Sequence, residues 1–362
     1  AAGAAPSPRD DGSMLMHAQS QILDFRETLN ERLNALPNSI NEVAYILRAT
    51  SPDGRISTYV TVFLWTALLL GVGYVAAIQI YGRRIVKNFV VSHVREDPQG
   101  YREKMPFLVF RFFMGIGGTL FAMLVAYVLG WLIFGRVDDR SIQLTVAAIY
   151  AAYFIARTVS DLWRMLLSPF LSQYRIPIFS DRDARRLYYW ASALAFYHIA
   201  TVMFSTWVAD FGLNYNVYAA LYGALSLVGA LLNVLMIVVN ARAITNAIRG
   251  GQPAERCSWV VRVIARAWAP VLAFYIIFGW FDLVFDLVLE RKEEIPLTVG
   301  AYAVFLAMVV VYGVINYVIE RWFDRTIALR RMQEEHDTAD GAEDDAPVAE
   351  RPAPRRTYQI TT

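Results

Sequence analysis

The chain has 362 residues and a formal net charge of +2, with 56% hydrophobic and 18% charged residues. This composition is too apolar for an ordinary soluble enzyme, and the bases are not gathered on one polar domain as nucleic-acid binding requires. The single cysteine, Cys257, lies among basic residues and permits no disulfide within the chain.

Residues 1–13 are small, polar and proline-containing, and are expected to be disordered. From 14 to 36, Leu15, Ile22, Phe25, Leu29, Leu33 and Leu36 recur at three- and four-residue spacing, which predicts an amphipathic helix ended by Pro37. A second short helix is predicted over 40–47, before the turn Ser51-Pro52-Asp53-Gly54. The helical segment 14–50 is read as external, where it lies on lipid headgroups, packs against a neighbouring subunit or caps the bundle.

Seven apolar stretches follow, at 57–80, 107–134, 142–167, 187–209, 217–244, 260–287 and 297–319. Each reaches the roughly 20 residues needed to cross the hydrocarbon. Lys and Arg number six in 81–106, six in 157–187 and five in 242–266, against two in 135–140, none in 210–216 and two in 290–296. Basic loops stay in the cytoplasm, so the N-terminus is predicted outside and the C-terminus inside.

The fold class expected is all-α, a polytopic membrane protein with seven transmembrane helices. The first span stands alone and the other six pair into three helical hairpins, 107–170, 187–249 and 260–322, within a transmembrane region of 57–320. A charged cytoplasmic helix over 321–335 and a disordered acidic, Pro-rich tail over 336–362 complete the chain. Trp131, Trp207 and Trp280 mark outer helix ends, and Trp163, Trp190, Trp259 and Trp322 inner ones. Small residues four apart, Gly115 with Thr119, Ala147 with Ala151 and Ser226 with Ala230, suit close helix approach.

No catalytic set emerges. His17, His93, His198 and His336 fall in four different compartments, so they form no metal site, and there is no phosphate-cradling loop or nucleophile turn. No cofactor is expected, and the chain is not read as an enzyme. Polar residues at membrane depth are therefore the functional candidates. His198, in the middle of the fourth span, either senses pH or is neutral and hydrogen-bonded to an adjacent helix, and Asn233 and Asn316 fit the second reading. Asp282 and Asp286, one turn apart near the outer end of the sixth span, either bind a cation or proton or form a wetted helix end.

Arg111, Arg157 and Arg164 stand near the cytoplasmic interface, where guanidinium groups pair with lipid phosphates or simply anchor topology, and Asp161 is one turn beyond Arg157. The stretch 157–190 reads RTVSDLWRMLLSPFLSQYRIPIFSDRDARRLYYW. Pro169 and Pro177 stop one helix and stiffen the connector, and Ser180 with Asp183 forms a capping-box pattern before the next.

This stretch resembles the large members of the small-conductance mechanosensitive channel (MscS) family. The match lies in the Leu-Leu-x-Pro stop at Leu166 to Pro169 and the Asp-x-x-Ala-Arg-Arg-Leu-Tyr-x-Trp pattern from Asp181 to Trp190. The resemblance extends over about 38–331. It implies a bacterial inner-membrane protein whose helical hairpins, called paddles, contact lipid and respond to bilayer tension within a homo-oligomer, a heptamer by resemblance. Lipid anchoring would fall to Arg111, Arg157, Asp161, Arg164, Arg185 and Arg186. The family's Gly- and Ala-rich pore helix and strand-rich vestibule have no counterpart here, so the chain is expected to be the sensor region without its pore. A secondary transporter using His198, Asn233 or the two aspartates, and a non-conducting scaffold, are the alternatives.

Overall fold

The computed structural model describes residues 10–93, 98, 100–175, 177, 179–290, 310–311, 313–327 and 329–330. The architecture is all-α. Its elements are α1 (Asp10–Thr50), α2 (Ile56–Ala76), a π-helical stretch (Ala77–Val86), α3 (Lys87–His93), α4 (Gly100–Phe134), α5 (Arg140–Leu167), a 3₁₀ turn (Ser172–Tyr174), α6 (Asp181–Asp210), α7 (Tyr215–Ile248) and α8 (Trp259–Val288). Residues 313–327 are also helical. Among the described residues, six helical segments are long and apolar enough to cross a bilayer: Ile56–Ser92, Glu103–Phe134, Arg140–Leu167, Asp181–Asp210, Tyr215–Ile248 and Trp259–Val288. The predicted seventh span, 297–319, lies largely outside the described residues, as do 1–9 and the predicted tail.

The N-terminal segment differs from its sequence reading. One helix replaces the predicted two and begins at Asp10, inside the stretch expected to be disordered, because the lone Gly12 is a weak barrier of about 1 kcal/mol. Pro37 lies inside α1 and does not end it. An internal proline removes one hydrogen bond and costs about 3 kcal/mol. Two features offset this: Pro37 is exposed, and the helix beyond it is docked, with Val43 and Ile46 packed on Val208, Leu213 and Val217.

The helices pack mainly on their neighbours in sequence: α4 on α5, α5 on α6, α6 on α7 and α7 on α8. α2 lies against α4 and α5, while α1 crosses the ends of α7 and α8. Large apolar side chains point outward, as in Leu124, Val238 and Phe274, the pattern of a bundle whose solvent is lipid. Close contact replaces hydrophobic burial as the source of cohesion. A methyl group on Gly73 of α2 would collide with the Ala122 carbonyl of α4, so these backbones touch. Leu69, Leu70 and Ala126 form the adjoining core. Of the predicted small pairs, Gly115 and Thr119 lie on the α4 seam, with Thr119 buried; Ala147 and Ala151 are exposed.

Helix ends are fixed by local side chains. Asp139 accepts from the Ser141 and Ile142 amides at the start of α5, and bonds centred on Ser141 hold its carboxyl below the ordinary range. Ser258 caps α8 in the same way. The first span does not stop at residue 80. It passes through ten residues of π-helix, a rare geometry that widens the turn, into α3.

Candidate functional site

Three of the four charged residues of α5 form one stripe. Arg157, Asp161 and Arg164 are four and three residues apart and therefore share a helix face. Arg157 lies ten residues before the end of α5, about 15 Å along the axis.

The stripe faces α4. Asp161 is buried, and Gly115 of α4 lies directly against its carboxylate. Arg157, Arg164 and Arg111 of α4 all act on that carboxylate through space, none of them within salt-bridge distance, so one acid shares its surroundings with three guanidinium groups. Aromatic faces cover the cations: Arg157 is 5.1 Å from the Tyr74 ring centroid and Arg164 5.7 Å from that of Phe170. On the side toward α6, the Ser160 hydroxyl bonds the Tyr188 hydroxyl at 3.2 Å and the Ser192 hydroxyl at 3.1 Å. Arg111 Nη1, Arg157 Nε, Asp161 Oδ2 and Arg164 Nε are buried without a hydrogen-bond partner. Charge at the bilayer centre costs about 2.5–3.5 kcal/mol per group on insertion scales. A cluster with excess positive charge and unused buried donors is thus an expensive feature.

The connector after α5 is built around a residue the sequence reading passed over. Arg175 has a side chain 6% exposed, and its guanidinium donates to the Leu167 carbonyl at 3.2 Å, to the Phe179 carbonyl, and to Asp181 Oδ1 at 2.7 Å. It closes the loop between α5 and α6. Ser168 adopts φ 37° and is fully buried, and Tyr174 packs on Phe107 at 4.3 Å within the cluster of Leu108, Met165 and Leu166. Ser180 caps α6 as expected, accepting from the Asp183 amide, while its hydroxyl donates to the Asp183 carboxylate.

Arg185 is exposed at the start of α6. Arg186 turns inward: it pairs with Asp183 at 3.0 Å and donates to Asn240 Oδ1 of α7 at 3.1 Å, and Asn240 is fully buried. The sequence signal for this bridge was an asparagine in the last turns of an apolar span.

His198 and Asn233 meet. Asn233 Nδ2 is 2.7 Å from His198 Nε2 and donates to the Gly229 carbonyl at 2.8 Å, an orientation that makes Nε2 the acceptor of a neutral ring. Gly229 leaves the room, since a methyl there would come 2.6 Å from His198 Cε1. Asp282 is exposed and Asp286 half-buried, and Asn316 is half-buried in the 313–327 helix. No group of three or more His, Cys, Asp or Glu side chains suited to a metal occurs among the described residues. Comparison with protein-family models, with curated proteins and with solved structures gives no match.

Proposed function

We propose that this chain is the tension-sensing membrane region of a mechanosensitive channel of the MscS type. In this reading it sits in a bacterial inner membrane with the N-terminus periplasmic and the C-terminus cytoplasmic. It surrounds, with copies of itself, a central pore. The observation that carries the reading is the Arg157–Asp161–Arg164 stripe with Arg111, set in a bundle whose 157–190 sequence resembles that family.

Tension favours whichever state occupies more membrane area, so helices that tilt or separate under tension shift the equilibrium. Guanidinium groups near the cytoplasmic leaflet attract lipid phosphates and tie α4 and α5 to headgroup level. The glycine contacts at residues 73 and 115 give these helices closely fitted surfaces that must reset when their spacing changes.

The test is patch-clamp recording of the pore-containing protein with Arg111, Arg157 and Arg164 changed to Gln. The expected result is a shifted tension threshold at normal expression, together with altered survival of osmotic downshock. An unchanged threshold sinks the lipid-anchoring account, and substrate uptake by vesicles without tension-gated current would favour a transporter instead.

A further inference from the structure

Among the described side chains of α1 only one is buried, and it is charged: Arg32, 5% exposed. Its Nη2 donates to Glu290 Oε1 at 3.1 Å, and its guanidinium carbon lies 5.0 Å from the ring centroid of Tyr215, the first residue of α7. Glu290 stands just past the end of α8 with φ 52°, a left-handed conformation that glycine adopts freely and other residues adopt at a cost. The carboxylate partner of Arg32 is thus carried on a strained backbone position.

Other contacts of α1 among the described residues lie along the same side. Phe25 stacks on Phe285 at 5.1 Å, Glu42 accepts from the Asn214 amide at 3.2 Å, and Val43 and Ile46 complete the docked face. At its far end α1 turns into α2 through a tight elbow, where Asp53 Oδ1 accepts from the Ser51 and Thr58 hydroxyls.

An apolar anchor would hold α1 by burial alone, without fixing its register. Here only the guanidinium is desolvated, while the Glu290 carboxylate stays largely in solvent, so the pair adds modest net stability but its buried half accepts one geometry only. Here Arg32 Nε and Nη1 are also buried without hydrogen-bond partners, which makes the docked state shallower still.

We propose that α1 is a latch. The Arg32–Glu290 pair, seated on Tyr215, locks the long arm of α1 across the ends of α7 and α8. Its opening frees those ends to move relative to α2. The consequence for gating rests on the tension-sensing reading; the latch itself does not.

The experiment is hydrogen exchange on the full chain in lipid nanodiscs, comparing wild type, Glu290→Gln, Arg32→Gln and the double variant. Glu290 is mostly exposed, so Glu290→Gln retains the fold even if Arg32→Gln does not. Exchange of α1 amides around residue 32 should rise about tenfold or more in Glu290→Gln, with the double variant no faster than Arg32→Gln alone. Unchanged protection around residue 32, or single effects that simply add, overturns the latch. Tension thresholds of the same substitutions in the pore-containing protein separate the two claims. A freed α1 with an unshifted threshold refutes its role in gating, and absence of tension-gated current in that protein without substitutions refutes the sensor reading while the exchange result stands.

Discussion

Gly115 of α4 lies directly against the Asp161 carboxylate of α5: a methyl group at 115 would come 2.7 Å from Oδ2 and 2.9 Å from Cγ. The missing side chain is what allows an acid to sit between two apolar helices. Gly115→Ala should therefore destabilise the protein by about 1–3 kcal/mol through overpacking, although alanine is intrinsically the better helix former. Gly71 of α2 has nothing within 4 Å of its own added methyl, so Gly71→Ala should be neutral or stabilising by up to about 1 kcal/mol. Thermal unfolding in detergent orders the three proteins, and equal melting of both variants would refute the close contact at 115.

Asp161 holds together a cluster that is otherwise cationic. Asp161→Asn keeps the shape but leaves Arg157, Arg164 and Arg111 without an acid. Removing one member of a buried charge set typically costs about 3–5 kcal/mol, and the absence of a tight contact here puts the expectation at the lower end. Arg185→Gln, on an exposed side chain, should change stability by less than about 0.5 kcal/mol. A smaller loss for Asp161→Asn than for Arg185→Gln would show that the cluster is not coupled. Chemical unfolding in mixed micelles makes the comparison.

Much of this molecule is written in local patterns. Hydropathy alone marks the six spans that the structure describes, because a bilayer demands unbroken apolar length and helical backbone. The Ser180 cap is visible because capping depends on residues three apart. What the sequence hides is tertiary. The seat of Asp161 depends on Gly115, which is 46 positions away on another helix. Arg186 looks like a surface base until Asn240 meets it. Arg175 reads as one more loop cation, although three carbonyl and carboxylate groups converge on it. Pro37 misleads in the opposite direction: its local cost is real, and the docking of Val43 and Ile46 outweighs it.

Arg175 should be the stabilising centre of the connector between α5 and α6. Its bonds to Leu167, Phe179 and Asp181 join both ends of the loop. Arg175→Lys keeps the charge but cannot reach all three acceptors with a planar fork. The expected loss is about 1.5–3 kcal/mol, the worth of a hydrogen bond to a charged group. Faster protease cleavage within 168–180, with α7 and α8 unaffected, is the readout. An intact loop in Arg175→Gln would remove the clamp from the account.

The pocket for His198 gives a double-mutant test. Gly229→Ala brings a methyl 2.6 Å from His198 Cε1 and should cost about 1–3 kcal/mol. His198→Ala loses the Asn233 contact but vacates the space that the methyl needs. The double variant should therefore be more stable than the sum of the two losses predicts, by about 1 kcal/mol or more. Strict additivity in unfolding experiments would place the imidazole elsewhere.

The elbow between α1 and α2 should weaken in acid. Asp53 accepts hydrogen bonds from Thr58 and Ser51, which lower its pKa from 3.8 to about 2. A carboxyl whose folded pKa is depressed stabilises the folded state above its unfolded value, and that contribution is lost as pH falls from near 3.8 through about 2. Asp53→Asn should abolish this part of the acid dependence while leaving the slope above pH 5 unchanged. Hydrogen exchange of residues 50–58 between pH 5 and pH 2 reads it directly, provided intrinsic exchange rates are normalised. Parallel profiles for wild type and Asp53→Asn would mean that the hydroxyl bonds do not hold the carboxylate, and the elbow would then owe its shape to Pro52 and Gly54 alone.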